Sequence, residues 1–416
     1  MKNNSAPSEN RSDLSLNNTI IPPAFSFALL CLFIVASISF YFSYTSQRNA
    51  VADFYIEWKG TQVALEGGNP YSNETTRLIQ LGSKGRLVEP GEDQLAFVYP
   101  YWRIFFNAPI AFLSYDWASA AWLGFLLTLY CGALYLLQRG LNWKSKSPIK
   151  NAFYYLAFIF SFPAFSSLML GQSALLVTAF IGGVYYFLKK GATGTAGVLL
   201  ALATVKPQLT LALIPLLLIR ALWRREWRFI IAFFVTMGLL AAISFILFPA
   251  WLSEFIAVAT RYPSYKPSLT GTAFAFVWLD GAVGTILGWF CWLLLACAGV
   301  WLWWRFTLIE SGKIKAGLAY DLSFSIALIL TLLLPPQTNI SNPVLLFVPI
   351  ALLMSRASER GFWSLALGII VISWLIYFLF YSVAYGAVII IPPILIAIFL
   401  FFNFRKVLSE LNTNAN

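Results

Sequence analysis

Tyr101-Trp102-Arg103-Ile104-Phe105-Phe106-Asn107-Ala108-Pro109-Ile110-Ala111-Phe112-Leu113 is the stretch on which the topology turns. If it crossed a bilayer, Arg139, Lys144, Lys146 and Lys150 would face outward and every later basic loop would be inverted. Treated instead as a helix lying in the outer interface, it lets all of those loops fall on one side. Arg103, Asn107 and Pro109 interrupt the apolar run, which suits an interfacial segment better than a lipid-facing span. With that choice 19 of the 28 basic residues gather on one face and 9 on the other. An excess of Lys and Arg marks the cytoplasmic side, so both termini are expected there.

The rest of the chain makes a membrane protein the premise of that count. Of 416 residues, 59% are hydrophobic and 11% charged, far too apolar for a soluble globule. Runs of about 20 apolar residues match the bilayer core. Twelve spans are expected, at about 24–44, 117–138, 152–168, 173–188, 192–205, 208–222, 228–248, 283–305, 317–334, 343–355, 362–380 and 384–403. The stretches 192–205 and 208–222 fall short of full bilayer length. The first span follows a polar leader with Lys2 and Arg11 and has no small-residue cleavage pattern, so it reads as a retained helix in the cytoplasmic (inner) membrane. Residues 1–20 are expected to be a disordered cytoplasmic leader, 21–405 one transmembrane domain and 406–416 a cytoplasmic tail.

The net charge of +11 sits in short loops between spans, which argues against nucleic acid and for a lipid bilayer as the partner surface. Cys31, Cys131, Cys291 and Cys297 all lie inside apolar stretches, so no disulfide framework or thiolate metal site is expected. The absence of histidine excludes imidazole bases, Ser-His triads and His-based zinc sites. No Walker motif, acidic metal cluster or internal repeat is present, and no metal or cofactor is expected.

The outer face then carries two sizeable loops, 45–116 and 249–282. Three tight turns accompany them: Leu170-Gly171-Gln172-Ser173, Val205-Lys206-Pro207-Gln208, and Pro335 to Asn342. Residues 53–66 read as an amphipathic surface helix with Phe54, Tyr55, Trp58 and Leu65 on one stripe and Asp53 and Glu57 together at i, i+4. Asp53 is either a first-turn acid favoured by the helix dipole or a base able to deprotonate a hydroxyl delivered from outside. Glu57 reads as a solvated face charge, and it stands with Tyr99 among the candidate substrate-binding residues of the outer loop. Lys206, at the edge of apolar helices, either snorkels to the interface or meets a lipid-linked phosphate, and Arg103 has the same two readings. Gln172, Gln208, Gln337, Asn339 and Asn342 are each suited to a cap or an interhelical bond, and together to one cavity lined with amides for sugar hydroxyls. Arg261-Tyr262-Pro263-Ser264-Tyr265-Lys266 fits an interfacial aromatic belt or a head-group contact.

The order Asp53, Gly67-Gly68-Asn69-Pro70-Tyr71, Tyr99-Pro100, Gly171-Gln172-Ser173, Lys206-Pro207-Gln208 and an amide-rich last outer turn resembles glycosyltransferase family 87. These are polyprenol-phosphate-mannose-dependent transferases of the GT-C class. The resemblance implies an all-α polytopic bundle of about twelve transmembrane helices, with interfacial helices in the first outer loop. It implies transfer of a hexose, by default mannose, from a polyprenyl-phosphate carrier to a glycolipid or glycan acceptor outside the cytoplasm, with inversion. Asp53 matches the position of the family's general base, and Lys206 with the 337–342 turn would lie near the carrier phosphate. The chain departs from the family in having Tyr99-Pro100-Tyr101 where Tyr-Pro-Pro is usual, and no histidine in the last outer turn. A transporter or flippase of lipid-linked glycans is the competing expectation. It calls for mid-span charges and repeated halves.

Overall fold

The computed structural model describes residues 22–47, 51–143, 145, 147–265, 281–309, 316–335, 339–382 and 385–413. Those residues are helical, with no strand among them. The first helix, α1 (Pro23–Ser43), is followed by α2 (Ala52–Leu65), α3 (Asn73–Lys84), the single turn α4 (Ile104–Asn107) and the long α5 (Tyr115–Gly140). Next come α6 (Pro148–Ile159), α7 (Phe162–Met169), α8 (Ala174–Lys189), α9 (Thr193–Leu202), α10 (Leu213–Trp223), α11 (Trp227–Leu247) and α12 (Trp251–Tyr265). The chain ends with α13 (Ala282–Ile309), α14 (Ala316–Leu333), α15 (Phe347–Arg356), α16 (Glu359–Phe380) and α17 (Tyr385–Thr413).

Among the described residues five helices are long and apolar enough to cross a bilayer: α1, α5, α11, α13 and α16. The pair α6 and α7, bent by 64° at its break, brings the number to six. Proline at the second position of α7 starts a new helix without losing an internal hydrogen bond, which is why the run breaks there. The backbone N–H of Phe162 donates to Ser373 Oγ of α16 at 2.9 Å and so finds a partner across the break. All twelve expected stretches fall mainly on helices, yet six of them are not among the helices or bent pairs that qualify as spans, so twelve crossings are not confirmed. Short helices keep their end groups satisfied only inside protein, not in lipid.

Apolar side chains on the long helices face outward, as Ile231, Phe234, Leu239 and Ile246 do on α11. The opposite faces close one core, in which small residues let backbones approach. A Cβ at Gly197 of α9 would fall on the carbonyl oxygen of Phe229 in α11.

Two expectations about the first loop are corrected. Residues 100–113 do not form one interfacial helix. They make the turns Tyr101–Arg103, α4 and Ala108–Ile110, with Tyr101, Trp102, Arg103, Ile104 and Asn107 buried. Helix α2 is not a surface helix with a solvated polar face, because Phe54, Glu57, Trp58 and Thr61 are all buried. Glu57 and Arg103 meet each other across the two segments, and Thr61 Oγ1 donates to the Glu57 carbonyl at 2.7 Å.

Candidate active site

Helix α2 is placed by contacts from well separated parts of the chain. Tyr115 Oη donates to the Val51 carbonyl at its start at 2.6 Å, and Gln62 Nε2 donates to the Ala111 carbonyl at 3.0 Å near its end. Gly67, at φ +80°, lets the chain leave the helix. The Asn69-Pro70-Tyr71 turn then serves packing. Asn69 Oδ1 accepts from the Tyr71 N–H at 2.9 Å, and Tyr71 Oη donates to the Tyr99 carbonyl at 2.8 Å, tying the two motifs together.

Asp53, in the first turn of α2, is half-buried, and its Oδ2 accepts a hydrogen bond from Gln172 Nε2. The other end of that amide is shared. Gln172 Oε1 accepts from Lys206 Nζ at 3.0 Å and from Ser341 Oγ at 2.7 Å. One glutamine thus joins a carboxylate, an ammonium and a hydroxyl from three distant segments. Gln172, Lys206 and Ser341 are each at most 6% exposed. Lys206 stands where the chain breaks between the turns Ala203–Val205 and Pro207–Leu209, so its side chain is delivered inward from a helix interruption.

Ser173, next to Gln172, meets the second carboxylate. Its Oγ donates to Glu57 Oε1 at 2.5 Å, and Arg103 Nη2 forms an ion pair with Glu57 Oε2. Arg103 Nε donates to Ser173 Oγ at 3.3 Å, and the guanidinium lies 4.6 Å from the Trp122 ring centroid. Arg103 Nη1 is buried without a hydrogen-bond partner. Glu57 and Arg103 are both 0% exposed, which corrects the expectation of a solvated Glu57. The structure also pairs Arg103 with that carboxylate.

Gly171 makes this arrangement possible. At φ +67° it occupies a conformation that side chains disfavour, and a Cβ there would lie 2.7 Å from Val51 Cγ1 and 2.8 Å from Phe54 Cβ. The 171–173 turn therefore rests directly on α2.

The remaining expected residues are more scattered. Half-buried Tyr99 lies close enough to both acids that they push its phenol further above the ordinary range than burial alone does. A raised phenol keeps its proton past pH 10, so Tyr99 stays neutral across working pH. Gln208 is half-buried in the turn after Lys206, and Asn339 and Asn342 flank Ser341 in the last turn. Gln337 and Lys266 lie outside the described residues. Ser173 and Ser341 were not expected from the sequence. A hydroxyl beside an expected amide, in Gln172-Ser173 and Ser341-Asn342, was the available signal. Among the described residues no three His, Cys, Asp or Glu side chains gather as a metal site.

A profile of glycosyltransferase family 87 matches residues 97–336, a span that holds Arg103, Gln172 and Lys206 and begins after Asp53. No curated protein and no solved structure matches the chain. The chain belongs to glycosyltransferase family 87 and is a multi-pass membrane glycosyltransferase.

Proposed function

We propose that this glycosyltransferase moves a hexose, by default mannose, from a polyprenyl-phosphate carrier to an acceptor hydroxyl on the outer face of the cytoplasmic membrane, with inversion. The observation that carries the proposal is the Asp53–Gln172–Lys206 chain of hydrogen bonds, which sets a carboxylate and a cation on opposite ends of one amide. Asp53 takes the proton of the acceptor hydroxyl as its oxygen attacks the anomeric carbon. The bond from that carbon to the phosphate oxygen breaks in line, and the polyprenyl phosphate leaves with the electron pair. Lys206 offsets the charge that gathers on the phosphate, where a fixed cation in a water-poor site acts most strongly. Gln172, Gln208, Asn339, Asn342 and Tyr99 supply donors and acceptors for sugar hydroxyls, and the amide of Gln337 is proposed for the same use.

An apolar cavity of about 280 Å³ supports a lipid-linked donor. It runs between α7, α15, α16 and α17, and residues such as Phe162, Val344, Ile369, Ile376 and Leu395 line it. Its lining also includes Ile340 and Pro343, which flank the turn that carries Ser341. An isoprenoid chain there would present its phosphate toward Gln172 and Lys206.

The test is transfer by purified protein in lipid nanodiscs, using radiolabelled hexose on polyprenyl phosphate. Wild-type protein should label an acceptor, and Asp53→Asn should bind donor and fail to turn it over. Near-normal turnover by Asp53→Asn would remove the assignment.

A further inference from the structure

We infer that Glu57, Arg103 and Ser173 form a buried brace that fixes the register between α2 and the 171–173 turn, and so holds Asp53 against Gln172. They are positioning residues and touch no substrate. The inference rests on the proposed role of Asp53 only for its catalytic consequence.

The geometry has three parts. Asp53 and Glu57 stand one helical turn apart on the same face of α2, while Gln172 and Ser173 are adjacent in the turn. Each turn residue meets one carboxylate, Gln172 at Asp53 and Ser173 at Glu57. Two such contacts between two short rigid segments fix both sliding and rotation at this end of α2, where Asp53–Gln172 alone fixes a single point. Arg103 then closes the second contact by holding Glu57 and Ser173 together. Trp122 joins the two ends of the turn, since its ring lies under the Arg103 guanidinium and its Nε1 donates to the Gly171 carbonyl at 2.8 Å.

Burial separates this group from a substrate site. Glu57 and Arg103 are 0% exposed and Ser173 1% exposed, while Asp53, one turn away, is half-buried. Arg is the residue for such a place because its planar fork bonds two acceptors at once, which a lysine ammonium cannot reproduce in fixed geometry.

The test has an arm that needs no donor. Asp53→Cys and Gln172→Cys are introduced into a chain whose Cys31, Cys131, Cys291 and Cys297 are replaced by alanine, and a short bismethanethiosulfonate joins them. Adding Ser173→Ala should lower the crosslinking rate about tenfold at equal folded fraction, because the second anchor is gone. An unchanged rate overturns the inference whatever the enzyme's activity. In the transfer assay, Ser173→Ala should lower kcat about tenfold with donor KM within about twofold, and Ser173→Thr, which keeps the hydroxyl, should restore it. Arg103→Lys should likewise lower kcat and leave donor KM alone. A tenfold rise in donor KM with unchanged kcat would make Arg103 a phosphate ligand through Nη1 and overturn the brace. If crosslinking falls as expected while Asp53→Asn remains active, the brace stands and the assignment of Asp53 as base fails.

Discussion

Helix α8 has an acidic cluster at each of its ends, about 24 Å apart along its 16 residues. At the Lys189 end, Asp321 of α14 is 2% exposed, paired with Lys189 and bonded by Tyr185 Oη at 2.6 Å. Tyr320 Oη donates to the Tyr185 carbonyl at 3.0 Å, and the Lys189 ammonium lies 5.4 Å and 6.0 Å from the ring centroids of Tyr185 and Tyr320. These partners come from two helices, one turn or one residue apart on each. At the Gln172 end, α2, the 101–103 turn, the 171–173 turn, Lys206 and Ser341 converge from across the chain. Both ends hold a buried acid beside a base, but only the Gln172 end adds a second carboxylate that stays half-exposed. The charges at the Lys189 end are enclosed by partners from two helices and by aromatic rings. At the Gln172 end Asp53 is held by a partner from another segment and stays half-exposed.

The largest effect that would sharpen this contrast is at Asp53. Asp53→Asn should lower turnover by about 10²–10⁴-fold, the usual worth of a positioned base, with an unchanged melting temperature. Asp321→Asn should do the reverse. It leaves the Lys189 ammonium without its counter-ion, at a cost of about 3–5 kcal/mol, read as a lower melting temperature and poor yield in detergent. Lys206→Met comes next: the loss of charge-assisted contacts worth about 1.5–3 kcal/mol should raise donor KM about tenfold to a hundredfold. If it lowers the yield instead, the Gln172 end is structural as well.

The smallest effect is expected far from both clusters, in the exposed loop where Arg86 and Glu92 pair at 2.8 Å. Hydrogen bonds from Arg86, then the Glu89 N–H, hold the Glu92 carboxyl at about 2, below its ordinary 4.5. A depressed folded value means that its contribution is complete above pH 4.5 and lost as the pH falls toward 2. Glu92→Gln at neutral pH should leave turnover within about twofold of wild type, since exposed pairs contribute little.

How much of this was legible in the sequence follows from how far each partner reaches. Hydropathy located the apolar helices, because burial in lipid needs only composition. Asp53, Gln172 and Lys206 stood out as polar residues bordering apolar runs. The Glu57–Arg103 pair did not, since 46 residues separate its members and neither pattern nor spacing couples them. Asp321 was not singled out from the sequence, although an acid inside the apolar stretch 317–334 is a placement that calls for a partner. Ser173 and Ser341 carried no signal of their own, because a small hydroxyl acquires meaning only from what faces it.

The most direct measurement makes the same substitution in the two clusters and reads turnover per folded molecule. Asp53→Asn and Asp321→Asn are purified, their folded fractions are quantified by size exclusion and melting, and each is assayed with the same labelled donor. The account predicts fully folded, nearly inactive Asp53→Asn, and scarce Asp321→Asn whose folded fraction turns over near the wild-type rate. Active, folded Asp53→Asn beside folded, inactive Asp321→Asn would contradict it.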